Sequence, residues 1–176
     1  MKKKKRLLWQ LFPSYLLIIL ISLVAVTLYA TTSLKNFYLD QIANDLQARA
    51  HLLEKQIFQL IGPMNADVID ALCKEIGKPS ATRITVILPS GTVIGDSNDD
   101  PAGMDNHAMR PEVIEARKGL VGTSNRYSTT LEQKMMYVAI PLTDGENIMA
   151  VIRTSLPITA KRFSLTLATF LKVSGD

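Results

Sequence analysis

The stretch from residue 7 to residue 34 contains no charged side chain, and this feature constrains the chain more than any other. A helix rises about 1.5 Å per residue, so about 20 helical residues cross a hydrocarbon core of roughly 30 Å. The stretch is longer than that, and its densest part, residues 16–26, is aliphatic apart from one serine. Aromatic side chains of the kind found at membrane surfaces flank this part at Trp9, Phe12, Tyr15 and Tyr29. We therefore predict a transmembrane helix over residues 11–31.

The positive charge of the chain is concentrated in front of this stretch. Five of its 20 Lys and Arg residues lie in residues 2–6, and the others are balanced by 16 Asp and Glu residues. Positively charged flanks stay on the cytoplasmic side of a membrane. Residues 1–10 are therefore predicted to be a cytoplasmic basic N-terminus, and residues 32–160 to lie outside the cytoplasm, at the inner or plasma membrane of a bacterial cell. The near-neutral remainder argues against a nucleic-acid partner, which requires a basic surface on the folded domain.

A cleaved secretory signal peptide is the alternative interpretation of the same stretch, because it also combines a basic start with an apolar middle. Residues 29–33 fit a small-x-small cleavage site only loosely. The uncharged stretch also exceeds the roughly 7–15 apolar residues of a signal peptide. These features favour an uncleaved anchor, and both interpretations place the following residues outside the cytoplasm.

After the anchor, apolar residues recur at spacings of three and four, which is typical of one stripe along a helix. The stripe comprises Leu34, Tyr38, Ile42, Leu46, Ala50, Leu53, Ile57 and Leu60. We predict a helical rod over residues 32–62, continuous with the anchor and ended by Gly62 and Pro63. The stripe is expected to pack on its own domain, on a second copy of the rod across a homodimer axis, or on both, since near-heptad spacing suits a helix pair.

The periodicity then changes from helical to strand-like. A second helix is predicted over residues 65–76 and a short one over residues 110–118. The apolar face of the second helix comprises Val68, Ile69, Leu72, Cys73 and Ile76. Five β-branched segments bounded by turn residues predict strands over residues 83–88, 92–96, 122–129, 134–142 and 148–155. Helices followed by neighbouring short strands predict an α+β domain with an antiparallel sheet. The single cysteine excludes a disulfide framework and a CxxC redox motif.

The densest cluster of potential metal ligands lies between Asp96 and His107. Asp96, Asn98 and Asp100 match positions one, three and five of an EF-hand calcium loop. Pro101 replaces the glycine that the sharp turn of this loop requires, and His107 replaces its last glutamate. We therefore predict no metal site and assign the cluster to turn formation, with a calcium site of another type as the alternative. No spacing of nucleophile and base predicts catalysis, so no catalytic residue is predicted.

A series of short motifs runs through the second half of the chain. In order, they are Asp96-Ser97, Asp100-Pro101, Asn106-His107, Arg110-Pro111-Glu112, Tyr127-Ser128 and Met136-Tyr137-Val138-Ala139. Over residues 10–165 this order resembles the extracytoplasmic sensor region of PhoR/WalK-type bacterial sensor histidine kinases. The resemblance implies a PAS-like (PDC or Cache-like) fold over residues 63–157. It also implies that residues 158–176 start a second, membrane-proximal or transmembrane helix.

The resemblance further implies what the whole protein does. The chain would be the N-terminal sensor portion of a two-component signal-transduction histidine kinase, which detects an extracytoplasmic signal and passes it through membrane helices. Such kinases are homodimers that use ATP and Mg²⁺ to phosphorylate a response regulator, and these kinase parts would lie beyond residue 176. No cofactor is implied within the chain itself. The alternative is an anchored extracytoplasmic binding or adaptor domain without kinase output.

Within the resemblance, a ligand pocket would lie between the sheet and the loop–helix segment before the third strand. The implied ligand-binding residues are Arg110, Arg126, Tyr127 and His107, and arginine there would suit an anionic ligand. A structural role, tying the loop to the helix and the sheet, is the alternative for these residues. The implied structural residues of the motifs are Asp96, Asp100, Pro101, Asn106, Pro111 and Glu112, the last of which suits a helix N-terminus.

Overall fold

The computed structural model describes residues 7–61, 65–128 and 132–158 of the chain. The described part contains three α-helices: α1 (Leu7–Ile61), α2 (Ala66–Gly77) and α3 (Pro111–Ala116). It also contains a 3₁₀ helix (Pro101–Gly103) and five strands: β1 (Arg83–Ile87), β2 (Val93–Asp96), β3 (Gly122–Ser128), β4 (Gln133–Asp144) and β5 (Asn147–Pro157). The predicted α+β class, with a long N-terminal helix and an antiparallel sheet, is confirmed.

The chain divides into two units, Met1–Asp40 and Gln41–Asp176, and α1 contributes to both. In the first unit, every side chain of residues 12–37 is exposed, and the most apolar window of the helix has a mean hydropathy of 2.2. Three threonine hydroxyl groups in this unit donate to the carbonyl oxygen four residues earlier, which satisfies them without water. They belong to Thr27, Thr31 and Thr32. The helix is therefore long and apolar enough to be a membrane anchor.

In the second unit, α1 uses the predicted apolar stripe to pack on its own domain. Four predicted positions are buried, namely Leu46, Ala50, Leu53 and Ile57, and Ile61 is buried in place of the predicted Leu60, which is only partly buried. All but the first belong to the main hydrophobic core, which they share with α2 and the sheet. Packing on the domain is one of the two arrangements expected from the sequence. The predicted end of the helix, Gly62 and Pro63, lies outside the described residues.

The second helix, α2, buries a narrower face than the sequence predicted. Ile69 and Cys73 are buried, whereas Val68 is 48% exposed. Adjacent helical residues are turned by about 100° from each other, so Val68 falls on the flank of the face that Ile69 occupies. Burial, with a smaller contribution from the nearby carboxylates of Asp96 and Asp70, raises the pKa of the Cys73 thiol to about 12. The cysteine therefore stays protonated and packs as a small apolar residue.

The five strands form one antiparallel sheet in the order β2-β1-β5-β4-β3, so β5 lies at the centre although it is the last in sequence. One face, the helix face, carries Ile84, Val86 and Ile152 in the core shared with α1 and α2. The opposite face, the cavity face, packs Ile87, Ala139 and Val151 against α3 at one end only. The rest of the cavity face carries polar residues, among them Thr85, Arg153 and Ser155, together with Tyr137 and Met135.

Several boundaries differ from those predicted. β4 and β5 are longer, because their pairing continues to Asp144 and Asn147 at a turn that Gly145 forms with a φ of 59°. The short helix α3 ends at Ala116 and is followed by Gly119, whose φ of 81° is incompatible with a helix. The predicted second membrane-proximal helix, residues 158–176, lies outside the described residues after Ile158.

Candidate functional site

A cavity of about 500 Å³ lies on the cavity face, between strands β3 to β5 and the segment that precedes α3. All four predicted ligand-binding residues line it: Arg110, Arg126, Tyr127 and His107. Arg153 and Tyr137 form the part of the wall that the central strands contribute. We call this space the arginine cavity, after Arg110, Arg126 and Arg153.

A buried ion cluster underlies the arginine cavity. Glu112, on the first turn of α3, is fully buried, and its Oε1 lies 3.2 Å from Arg126 Nη2 and 3.6 Å from Arg153 Nη1. A Cβ atom on Gly122 would lie 2.0 Å from the carbonyl oxygen of Glu112, so glycine is required where β3 crosses α3. This close crossing brings the carboxylate of the helix to both arginines of the sheet.

The cluster leaves polar atoms without partners among the described residues. These atoms are Glu112 Oε2, Arg126 Nε and Arg153 Nε, all of them buried. Two guanidinium groups share a single carboxylate, so one positive charge is not neutralised within the cluster. An unpaired buried charge is costly, and buried polar groups without partners often mark a site that a ligand or an ion completes.

Tyr137 supports both arginines from the sheet. The guanidinium of Arg126 lies 4.1 Å from the centre of its ring, and that of Arg153 lies 5.2 Å from it. Such cation–π contacts hold a guanidinium group in place while leaving its hydrogen-bonding edge free. Arg153 also donates from Nη2 to Thr85 Oγ1 over 3.1 Å. Burial lowers the pKa of Arg153 to about 10, although Glu112 opposes this shift.

His107 lies in the wall of the arginine cavity as a neutral imidazole. Its ring is buried, with Nδ1 2.6 Å from the carbonyl oxygen of Asp105, and its backbone N–H donates to Gly91 over 2.8 Å. Burial, followed by the positive charge of Arg153 and those of Arg110 and Arg126, lowers the pKa of His107. A neutral histidine adds a hydrogen-bonding group to the cavity without adding a charge.

The predicted structural residues form contacts within the loop. Asp96 is buried and accepts from Arg83 Nε, Thr85 Oγ1 and the backbone N–H of Asn98. Burial alone would raise the pKa of Asp96, but the charge of Arg83 and these hydrogen bonds outweigh burial and lower it. The carboxylate is thus engaged by contacts within the fold, as expected for a residue that forms the turn.

Caps and turns account for the other predicted structural residues. Asp100 accepts from the backbone N–H of Ala102 and caps the 3₁₀ helix that Pro101 begins, while Pro111 begins α3. Asn106 donates to the carbonyl oxygen of Ser90, 16 residues earlier, and accepts from the backbone N–H of Ala108. These bonds hold the wall of the cavity against the β1–β2 turn.

Sequence reasoning missed Arg153 and Tyr137, which the structure places at the centre of the site. Arg153 is the only charged side chain of β5, and it stands within a run of buried residues from Ala150 to Leu156. A lone charge in a β-branched run is rarely buried unless it is paired. That signal was present in the sequence, whereas the partner Glu112 was not apparent from it.

Comparison with known proteins gives matches to solved structures, while no protein-family profile and no curated protein matches the chain. The sensor domain of the Vibrio cholerae histidine kinase DctB is similar, with a TM-score of 0.62, 21% identity, and coverage of 81% of this chain and 57% of the other. The Escherichia coli DcuS sensor domain matches with a TM-score of 0.55, 16% identity, and coverage of 74% and 97%. The ligand-binding domain of the Campylobacter jejuni chemoreceptor Tlp3, bound to 4-methylisoleucine, matches with a TM-score of 0.53, 15% identity, and coverage of 71% and 53%.

These likenesses establish the fold as that of PDC/Cache-like sensor domains. The match covers a little over half of the DctB and Tlp3 domains but nearly all of the DcuS domain. The fold occurs in sensor domains attached to histidine kinases and in those attached to chemoreceptors.

Proposed function

We propose that this chain is the N-terminal, membrane-anchored sensor portion of a two-component histidine kinase, and that it detects a small anionic molecule outside the cytoplasm. Two features support this assignment. The fold is that of sensor domains of histidine kinases, and α1 contains an apolar segment long enough to cross a membrane. In the proposed organisation, residues 1–10 are cytoplasmic, residues 11–31 cross the membrane, residues 32–62 form the rod and residues 63–157 form the sensor domain.

The proposal of an anionic ligand rests on the buried ion cluster. Arg126 and Arg153 share the single carboxylate of Glu112, and the Nε–H group of each has no acceptor among the described residues. A carboxylate, phosphate or sulfate in the arginine cavity would supply both the missing charge and the missing acceptors. Charge-assisted hydrogen bonds of this kind are roughly twice as strong as neutral ones.

Arg110 and Tyr127 would act at the mouth of the same cavity. The guanidinium of Arg110 is half-buried and has no hydrogen-bond or ion-pair partner among the described residues. Tyr127 is exposed and lies next to Arg126 on β3, at the edge of the cavity. The proposed ligand would therefore meet Arg126 and Arg153 inside and Arg110 at the mouth.

A direct hydrogen bond would connect the occupied cavity to α1. Arg153 faces the cavity, and the next residue, Thr154, points to the helix face, where its hydroxyl donates to the carbonyl oxygen of Leu46 over 2.9 Å. A ligand that shifts β5 at Arg153 would therefore act on α1 one residue away. Rigid elements that share such bonds transmit small displacements between sites.

A homodimer through α1 is part of the proposal. Leu52 is 78% exposed on the side of α1 that points away from the core of its own domain, and Phe58 is 41% exposed on a flank of the helix. A second copy of the helix would cover Leu52. Kinases of this type work as dimers that phosphorylate a response regulator, and ATP and Mg²⁺ would bind to parts beyond residue 176.

Thermal unfolding of the full chain in lipid nanodiscs tests the ligand class. Carboxylates of one to three charges, phosphate and sulfate are added one at a time. At ten times its dissociation constant, a bound anion is expected to raise the Tm by about 3–6 °C. R110Q should reduce this shift, whereas R117Q, which removes an exposed arginine beyond the end of α3, should preserve it. If no anion raises the Tm, or if R117Q reduces the Tm shift as much as R110Q does, the proposal of an anionic ligand is wrong.

The reading frame downstream of codon 176 tests the kinase output. We expect a second membrane helix followed by a phosphoacceptor histidine helix and an ATP-binding module. If the frame encodes a chemotaxis signalling domain, the sensing role stands and the proposed kinase output is wrong. A frame without a second membrane helix or an output module would favour the anchored binding or adaptor domain.

A further inference from the structure

A second cavity, of about 630 Å³, adjoins the arginine cavity on the same face of the sheet, and Arg83 lines both. It is bounded by the C-terminal end of α2, the first residue of β1 and the start of β4 with the end of β5. We call it the lysine cavity. The residues that matter for its chemistry are Lys74, Lys78, Arg83, Met135 and Ser155.

The charged side chains that line the lysine cavity all carry a positive charge. Lys74, Lys78 and Arg83 contribute to the wall, and no carboxylate does so among the described residues. Two of these charges are already paired, Lys74 with Asp70 and Arg83 with Asp96 and Asp99. Lys78 is exposed and its ammonium group has no partner among the described residues. The lysine cavity thus offers one positive charge that its own wall does not neutralise.

Ser155 gives a second, independent indication of a ligand. It is 2% exposed, it lines the lysine cavity, and its hydroxyl oxygen has no hydrogen-bond partner among the described residues. A buried hydroxyl without a partner destabilises a fold, so such groups are usually satisfied by water or by a ligand. Ser155 is paired with Arg83 across β5 and β1, which places the hydroxyl next to the arginine of the wall.

We propose that the lysine cavity binds a small molecule through an oxyanion group, a phosphate or a sulfate. Lys78 supplies the uncompensated charge, and Ser155 donates its hydroxyl hydrogen to the oxyanion. Met135 and Pro157 add an apolar part to the wall, which suits an organic phosphate as well as the bare ion. The site differs from the arginine cavity and does not depend on the sensing role proposed above. Because Arg83 lines both cavities, a ligand in one cavity would lie next to a residue that also lines the other.

Isothermal titration of the full chain in nanodiscs with inorganic phosphate, sulfate and phenyl phosphate tests this proposal. K78Q is expected to weaken binding of the probes about tenfold or more, because it removes a charge-assisted contact. S155A is expected to weaken binding about 2- to 10-fold, the contribution of one hydrogen bond. Because S155A removes a buried hydroxyl without a partner, it should leave the Tm unchanged or raise it. K55Q, which removes an exposed lysine of α1, serves as the matched control.

Weaker binding of the probes in K78Q and S155A but not in K55Q supports the site. Tighter binding of phenyl phosphate than of phosphate would assign part of the affinity to the apolar wall. Three results would overturn it. One is the absence of binding by all three probes. Another is equal weakening by K55Q and K78Q, which would indicate binding to surface charge in general. The third is weakening by R110Q without any effect of K78Q, which would place the probes in the arginine cavity and leave the lysine cavity without a ligand.

Discussion

The two faces of the sheet are built from the same strands, yet they differ in chemistry. On β5, Ile152 and Thr154 point to the helix face, while Arg153 and Ser155 point to the cavity face. Alternation of this kind usually places the polar side of a sheet in water. Here Arg153 and Thr85, on the polar side, are as buried as the core. The comparison shows that a polar face can be internal, and that its buried charges then have to be explained by partners.

The faces also differ in what each contributes to stability. On the helix face, close packing of aliphatic side chains removes apolar surface from water and stabilises the fold. On the cavity face, burial of charge is unfavourable unless the charges are paired, so removal of one partner is worse than removal of an apolar side chain of similar size. Variants on the two faces should therefore differ in the free energy of unfolding that they lose.

Removal of Glu112 should have the largest effect. E112A leaves the guanidinium groups of Arg126 and Arg153 buried without a carboxylate, and we expect the free energy of unfolding to fall by about 3–5 kcal/mol. Chemical denaturation of the full chain in detergent, monitored by far-UV circular dichroism, measures the change. E115A, which removes a partly exposed carboxylate paired with Lys118 on the same helix, is the control and should cost less than about 1 kcal/mol. Equal effects of the two variants would contradict the proposed role of the ion cluster.

Truncation of the helix face should rank second. I152A removes a fully buried side chain from the core shared with α1 and α2, and we expect a loss of about 3 kcal/mol. The same denaturation experiment measures it. V68A truncates the half-exposed position of α2 and should cost less than about 1 kcal/mol. A loss at Val68 as large as that at Ile152 would mean that α2 packs with a different face.

Loss of the bond that joins β5 to α1 should have a smaller effect on stability. T154V keeps the shape of the side chain and removes its donation to the carbonyl oxygen of Leu46, at an expected cost of about 1 kcal/mol. T123V, at an exposed position of β3, is the matched control and should be neutral. An unchanged free energy of unfolding in T154V would contradict the proposed connection between the cavity and α1.

The pH dependence of stability should show the smallest effect. Because the pKa of His107 is lower in the folded chain than its usual value near 6.5, its contribution to stability is present above about pH 6.5 and is lost as the pH falls through the folded pKa. Between pH 7 and pH 5, the Tm should therefore fall in the native chain and fall less in H107Q. H51Q, at an exposed position of α1, should behave like the native chain. If H107Q retains the full slope, other groups cause it.

Much of the fold followed from local patterns. The 3–4 spacing of the stripe predicted the buried side of α1, and β-branched segments between turn residues predicted all five strands within a few residues of their bounds. These signals are local, since side-chain periodicity and turn residues act over a few positions. Val68 was misplaced because a helical face has an edge whose position depends on what packs against it. Strand ends were underestimated because the β4–β5 hairpin continues pairing to Asp144 and Asn147, residue types that are depleted in strands.

Only part of the candidate site could be predicted from the sequence. The resemblance pointed to Arg110, Arg126, Tyr127 and His107, which the structure brings to one cavity. Arg153 and Tyr137 were missed because their importance depends on strand order, which places β5 beside β4 and β1. The lysine cavity was missed for the same reason, since it combines the end of α2 with the ends of three strands. The binding roles of all these residues stay predictions until the ligand experiments are done.

By itself, the sequence determined the apolar segment at residues 7–34, the charge in front of it, and the positions of helices and strands. Each of these depends on the chemistry of neighbouring residues. The folded chain brings Glu112 to both Arg126 and Arg153, which lie 14 and 41 positions further along the sequence. Ion pairs between distant residues depend on strand order, register and the close crossing at Gly122. None of these leaves a local pattern in the sequence, and so the positive charge that Glu112 leaves unneutralised became apparent only in the folded chain.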